Sequence, residues 1–215
     1  MFQIVDIALK SGLSQGTISL FLMLPIIVTI IAFFRQVLGV KAFGIYTPAI
    51  LVFAFLASGK LIYGIALFVI AILAGMLLRI LMRPFRLLYL PRVAIMISLI
   101  GFAIFGLLIV GNSLGYPDLS NLSILPILIM ITLVEKFIGT SIEKGMRTAI
   151  ILTGETLFIS IICYYIAIWQ LLNTYLLGHP YIVLITIPIN IFIGRWIGLR
   201  LTEYYRFRNI LKKNA

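Results

Sequence analysis

Two ionisable side chains lie inside stretches that are otherwise apolar: Glu155 in TAIILTGETLFISIICYYIAIW and Arg195 in YIVLITIPINIFIGRWIGL. Placing a charge in hydrocarbon costs roughly 3 kcal/mol or more, so a charge retained there either pairs or serves a function. Glu155 falls seven residues after the start of its run and Arg195 four before the end of its own. If those ends share a side of the membrane, their depths agree within about 5 Å and the two can pair. Glu135, at the end of another run, and Asn190, about one turn deeper than Arg195, complete a vestibule open to the cytosol. The same residues equally fit a structural ion pair, with Arg195 partly snorkelling to the headgroups.

Other chemistry finds little support. One histidine, His179, and one cysteine, Cys163, exclude a histidine-pair or cysteine metal centre and an internal disulfide. No Walker A loop is present, and Ser141 to Lys144 spells S-x-x-K without the companion motifs of a serine acyl-enzyme. No metal, cofactor or catalytic residue is expected, and any reaction would take place on a partner.

The elements that must carry these residues follow from composition. Of 215 residues 63% are hydrophobic and 11% charged, with a mean hydropathy of +1.21, which excludes a soluble globular domain. No polar stretch exceeds about 16 residues, far below a domain's minimum of about 50. The expected fold class is an all-α polytopic membrane helix bundle. Five runs are long enough to cross the bilayer: Thr17 to Phe34, Leu61 to Leu78, Val93 to Val110, Thr148 to Trp169 and Tyr181 to Leu199. Two are short, Ile45 to Ser58 and Ile124 to Val134, and each carries a proline near its start, Pro48 and Pro126. Proline suits a first helical turn, where its missing N–H costs nothing.

If all seven runs cross, 14 cations fall on one side: Arg35, Lys41, Arg79, Arg83, Arg86, Arg92, Lys136, Lys144, Arg147, Arg200, Arg206, Arg208, Lys212 and Lys213. Lys10 and Lys60 alone face the other. Were the two short runs re-entrant, the ratio would fall to 11 against 5. The positive-inside rule therefore selects seven helices, N-terminus out and C-terminus in. Residues 1–16 form an outer tail, 17–199 the membrane domain and 200–215 a basic cytosolic tail. A seven-helix receptor fits less well, because the connectors are short and no Lys lies in the last span to hold a retinal.

Aligning Pro48 with Pro126 sets GIYTPAILVFAFL against LSILPILIMITLV and divides the chain into halves, 17–79 and 93–169, before the last helix, 181–199. Each half contains three crossings, so the second is inverted, as in many transporters. A short helix beginning inside the membrane aims N–H groups and the positive dipole end at an anion. Tyr46, Thr47, Pro48 and Pro126 thereby join Glu135, Glu155, Asn190 and Arg195 as candidates for a substrate path. Short helices extended by a few polar residues explain the pattern equally well.

The cations define a second set. RILMRPFRLLYLPR carries Arg79, Arg83, Arg86 and Arg92 between apolar residues, and Lys144, Arg147, Arg200, Arg206 and Arg208 lie on the same expected side. Such residues set topology and attract anionic lipid, and they also form a docking surface for a cytosolic partner. GRWIG and AILAG have the small-xxx-small spacing of close helix approach, within the bundle or in a homo-oligomer.

Several blocks are distinctive beyond being apolar: LPIIVTIIAFFRQVLGVKAFGIYTPAILVFAFLASG, LLYLPRVAIM, SILPILIMITLVEKF, SIEKGMRTAIILTGETL and GRWIGLRLTEYYRF. Together, over roughly Leu24 to Phe207, they resemble the seven-transmembrane domain usually attached to an inactive transglutaminase-like domain. Only 16 residues precede the first span, so that extracytoplasmic portion is expected on a separate chain, absent, or removed from this chain. The family is associated with ATP-grasp ligases that join carboxylates to amines. More distantly, the GIYTP segment and the second half are similar to the small membrane subunit of poly-γ-glutamate capsule synthesis.

The resemblance implies a bacterial inner-membrane subunit that anchors a cytosolic ATP-dependent amide ligase and helps make or export an anionic poly-amino-acid product. The alternatives are an independent secondary transporter of a small organic anion and a membrane scaffold for an extracytoplasmic transglutaminase-like partner. The expected surroundings are lipid and protein, with no nucleic-acid partner.

Overall fold

A backbone in lipid must satisfy its own polar groups, which favours helix along long apolar runs, and the helix persists through the β-branched run 26–31 and through Pro25. The computed structural model, which describes residues 3–82, 88–113 and 124–195, contains helix and no strand among those residues. In order they are α1 (Gln3–Lys10), α2 (Gln15–Phe33) running into a π-helical turn (Phe34–Leu38), α3 (Tyr46–Ala57) and α4 (Leu61–Leu81). After these come α5 (Tyr89–Ser113), α6 (Ile124–Glu143), α7 (Met146–Ala167), α8 (Gln170–Gly178), a 3-10 stretch (Pro180–Ile185) and α9 (Thr186–Gly194).

Five of these helices are long and apolar enough to span a membrane, and the bent pair of α8 with the 3-10 stretch and α9 makes a sixth if it counts as one span. Four expected spans, at α2, α4, α5 and α7, match the apolar runs closely. The expected 11-residue run from Ile124 is corrected: α6 has 20 residues and ends at Glu143, about 30 Å of helix. Glu135 and Lys136 interrupt the apolar run without breaking the helix, since Phe137, Ile138, Gly139 and Ser141 beyond them are buried. Only α3, with 12 residues, remains short, so the two Pro-led helices are unequal.

The expected straight span from Tyr181 is also corrected. α8 and the segment from Pro180 to Gly194 meet at 102°. Pro180 lacks an N–H and disfavours helical dihedrals at the residue before it, and His179 there has φ −137° and ψ 65°.

The chain forms two compact units, Met1–Ala49 with Phe158–Ala215, and Ile50–Leu157. In the first, α1, α8, the 3-10 stretch and α9 pack on α2. Ser14 caps α2 by accepting the Thr17 N–H at 3.2 Å. Ser19 donates to Asn173 Oδ1 at 2.7 Å, and Asn173 donates to the Ala167 carbonyl at 2.8 Å, tying α8 to α2 and to the end of α7.

In the second unit α4 packs against α5 and α6, which also touch each other. α5 buries Val93, Met96, Ile100 and Ile104, a stripe at helical spacing, while Phe102 and Phe105 on other faces are 77% and 59% exposed. Such exposed aromatics are what lipid, rather than water, solvates. Several hydroxyls in the helices bond back one turn, as Thr153 does to Ala149 and Thr156 to Leu152, and so satisfy a polar group within its own helix.

Candidate functional site

In the first unit the end of α2 creates a polar cleft. At Phe34 the helix loosens into a π-helical turn, closed when the Gly39 N–H reaches back to the Phe34 carbonyl. Gly39 takes φ 84°, a left-handed conformation open to glycine at no steric cost, and the chain turns away toward Val40 and Lys41. Isolated π turns inside α-helices recur at functional sites because they shift the side-chain register. Here Arg35, Gln36 and Lys41 line a cleft of about 440 Å³ with Asn190 of α9, against walls of Ala32, Val40, Ile45 and Ile193. No acidic residue lines it among the described residues.

The orientation of Asn190 is set by its neighbours. Thr29 uses its hydroxyl proton on the Pro25 carbonyl at 2.7 Å, so its oxygen can only accept. Asn190 Nδ2 donates to that oxygen at 2.7 Å and to the Thr186 carbonyl at 2.8 Å. Both amide protons are thereby committed, and Oδ1 is the group Asn190 has left to offer. The half-buried Arg35 and Gln36 make no side-chain hydrogen bond or ion pair among the described residues.

The second unit holds another basic cleft, about 460 Å³, lined by Arg79, Ile80, Arg92, Ile142 and Met146. Arg79, in the last turn of α4, donates to the Ser141 carbonyl near the end of α6 at 2.6 Å and approaches Met146 Sδ at 3.5 Å. A cation satisfying a terminal carbonyl also meets the negative end of the helix dipole. One guanidinium thus gathers the end of α4, the end of α6 and the start of α7.

The sequence-predicted residues are distributed as follows. Tyr46 is 77% exposed, whereas Thr47 and Pro48 are buried in the first turn of α3, and Ser160 of α7 donates to the Pro48 carbonyl at 3.1 Å. Pro126 is buried in the first turn of α6. Glu135 is exposed in the middle of α6 and Glu155 half-buried in α7, both in the second unit; Asn190 and the exposed Arg195 belong to the first. Lys144 and Arg147 are exposed beside the α6–α7 junction. Arg83, Arg86, Arg200, Arg206 and Arg208 lie outside the described residues. Arg35, Gln36 and Lys41 belong to no candidate set in the sequence, where two of them count only as topology-setting charges. The available signal was FRQVLGVK, a cation-bearing end of a span closed by a glycine.

At the elbow between α8 and the 3-10 stretch, His179 lies between two tyrosines, tilted against Tyr175 with ring centroids 5.1 Å apart and edge-on to Tyr181 at 5.8 Å. It is therefore a packed corner residue rather than the plain loop residue its sequence context suggests.

Long apolar helices with exposed aromatics, and hydroxyls that bond back into their own helices or across to a neighbour, define a polytopic α-helical membrane protein. Within that class the chain belongs to the family of seven transmembrane helices usually fused to an inactive transglutaminase, whose family model matches residues 2–211. Among curated proteins and solved structures, none matches the chain significantly.

Proposed function

We propose that this protein is an inner-membrane subunit that anchors a cytosolic ATP-dependent amide ligase and assists synthesis or export of an anionic, peptide-like product. The observation that carries the reading is the corner built by Arg79, where three helix ends are held at one guanidinium beside Arg92. Lys144 and Arg147 flank the same junction in sequence and are exposed, so a rigid basic surface is available to an acidic partner. On the sequence count of cations this surface faces the cytosol of a bacterial cell, where ATP is supplied. The inverted halves and the dipoles of the Pro-led helices favour outward passage of an anion, and the small-xxx-small segments leave a homo-oligomer open to test.

The test is purification of tagged protein from native membranes in mild detergent, followed by an assay for ATP-dependent incorporation of labelled glutamate or aspartate. A co-purifying ligase whose association is lost in the Arg92→Glu, Arg147→Glu variant supports the reading. A well-folded protein recovered alone and inactive overturns it. Family membership favours a second reading, a membrane scaffold for a transglutaminase-like partner on the outer side. Cross-linking of that partner to the protein, in cells retaining no ligase association, would select it.

A further inference from the structure

We propose that the cleft at the end of α2 is a binding site for a carboxylate that carries an adjacent N–H group, as in an amino-acid or peptide end. This deepens the proposed function by naming what the membrane domain holds, but it rests on different residues and needs no ligase.

The argument is one of complementarity. Arg35 presents a planar fork of N–H donors suited to the two oxygens of a carboxylate, and it makes no other polar contact among the described residues. Lys41 adds a second positive charge on the same cleft, and no described lining residue is acidic. These two cations select an anion without distinguishing carboxylate from phosphate. Asn190 makes the distinction. Its amide protons are consumed by Thr29 and Thr186, which leaves an acceptor, and an acceptor repels a fully ionised oxyanion but receives an N–H. Gln36, also uncommitted, supplies both a donor and an acceptor and so matches an amide bond. The cleft, about 440 Å³, has the size of sites that hold small ligands, and its apolar wall of Ala32, Val40, Ile45 and Ile193 fits a short aliphatic chain. A carboxylate, an N–H and a few methylenes together describe the end of an acidic peptide.

The experiment uses the full chain in nanodiscs of zwitterionic lipid, titrated by calorimetry with three probes: N-acetyl-L-glutamate, glutarate and inorganic phosphate. N-acetyl-L-glutamate and glutarate share carbon spacing and both carboxylates, and differ in the acetamido group that carries the N–H. The expected order is N-acetyl-L-glutamate tightest, glutarate weaker by about threefold to tenfold for one lost hydrogen bond, and phosphate weaker still. Arg35→Gln is expected to weaken N-acetyl-L-glutamate at least tenfold, the scale of a charge-assisted hydrogen bond, with an unchanged melting temperature. Lys41→Gln provides a second reading if the first variant is poorly folded, and is expected to weaken all three anions. Equal affinities for N-acetyl-L-glutamate and glutarate, or insensitivity to both substitutions, overturn the proposal. So does full competition by nanodiscs containing anionic phospholipid, which would make the cleft a headgroup site.

Discussion

At the scale of single residues the hydrogen bonds that orient Asn190 account for both of its amide protons. Asn190 is held by Thr29 and by Thr186, and Thr29 is in turn committed to the carbonyl of Pro25. Interhelical hydrogen bonds in membranes are modest, roughly 0.6 kcal/mol on average and up to about 2 kcal/mol, because the unfolded chain in lipid also finds partners. A double-mutant cycle of Asn190→Leu and Thr29→Val, read by unfolding in detergent, is expected to give a coupling within that range; zero coupling would remove the reason for Asn190's fixed orientation. Gly75 makes a different kind of contact. A Cβ there would overlap Val134 Cγ1 of α6, so α4 and α6 approach as closely as they do because position 75 has no side chain. Gly75→Val is expected to cost about 1 to 3 kcal/mol by overpacking, and Val134→Ala in the same chain to recover much of it. This also assigns the AILAG spacing to packing within the bundle, a choice the sequence left open.

At the scale of elements, what the sequence could show depended on whether a helix boundary coincides with a change in polarity. α4 and α5 begin and end where apolar residues do, and were legible. α6 does not: Glu135 and Lys136 look like an end, yet helix formation costs little at Glu and Lys, and the buried Phe137, Ile138 and Ser141 hold the next turns in place. The cleft at the end of α2 was invisible for a related reason. Arg35 and Lys41 resemble ordinary flanking charges, and a π turn has no compositional signature that separates it from the helix it ends. The elbow at His179 and Pro180 was visible as a proline but read as a connector between two spans, because the apolar content on both sides is high. Its cause can be tested directly. Pro180→Ala restores an N–H and frees His179 to become helical, so spin labels at Leu171→Cys and Ile189→Cys in a Cys163→Ala background should move apart by up to about 10 Å as the segment straightens. An unchanged distance would assign the bend instead to the ties that Asn173 makes with Ser19 and Ala167.

At the scale of the whole molecule, the seven-crossing arrangement rests on two elements that are atypical as spans. α3 has 12 residues, about 18 Å of helix against roughly 30 Å of hydrocarbon, and the last segment bends through 102°. With α6 a full span, the cations divide 14 to 2 if α3 also crosses and 13 to 3 if it does not, so the count favours crossing by a single charge. A short helix can cross if the bilayer thins locally or if the flanking chain continues the path through protein, at a cost of fractions of a kcal/mol per ångström of mismatch. Substituted-cysteine labelling settles the matter with three positions. Cys163 is the sole native cysteine and is buried, so Cys163→Ala gives a clean background. With Lys41→Cys, Lys60→Cys and Lys144→Cys introduced singly, a membrane-impermeant maleimide applied to intact cells is expected to label Lys60→Cys alone, and the other two only after lysis. Labelling of Lys41→Cys and Lys60→Cys from the same side would make α3 re-entrant. Lys144→Cys then reports which side carries the Arg79 corner, and its labelling in intact cells would take the proposed ligase-docking surface out of the cytosol.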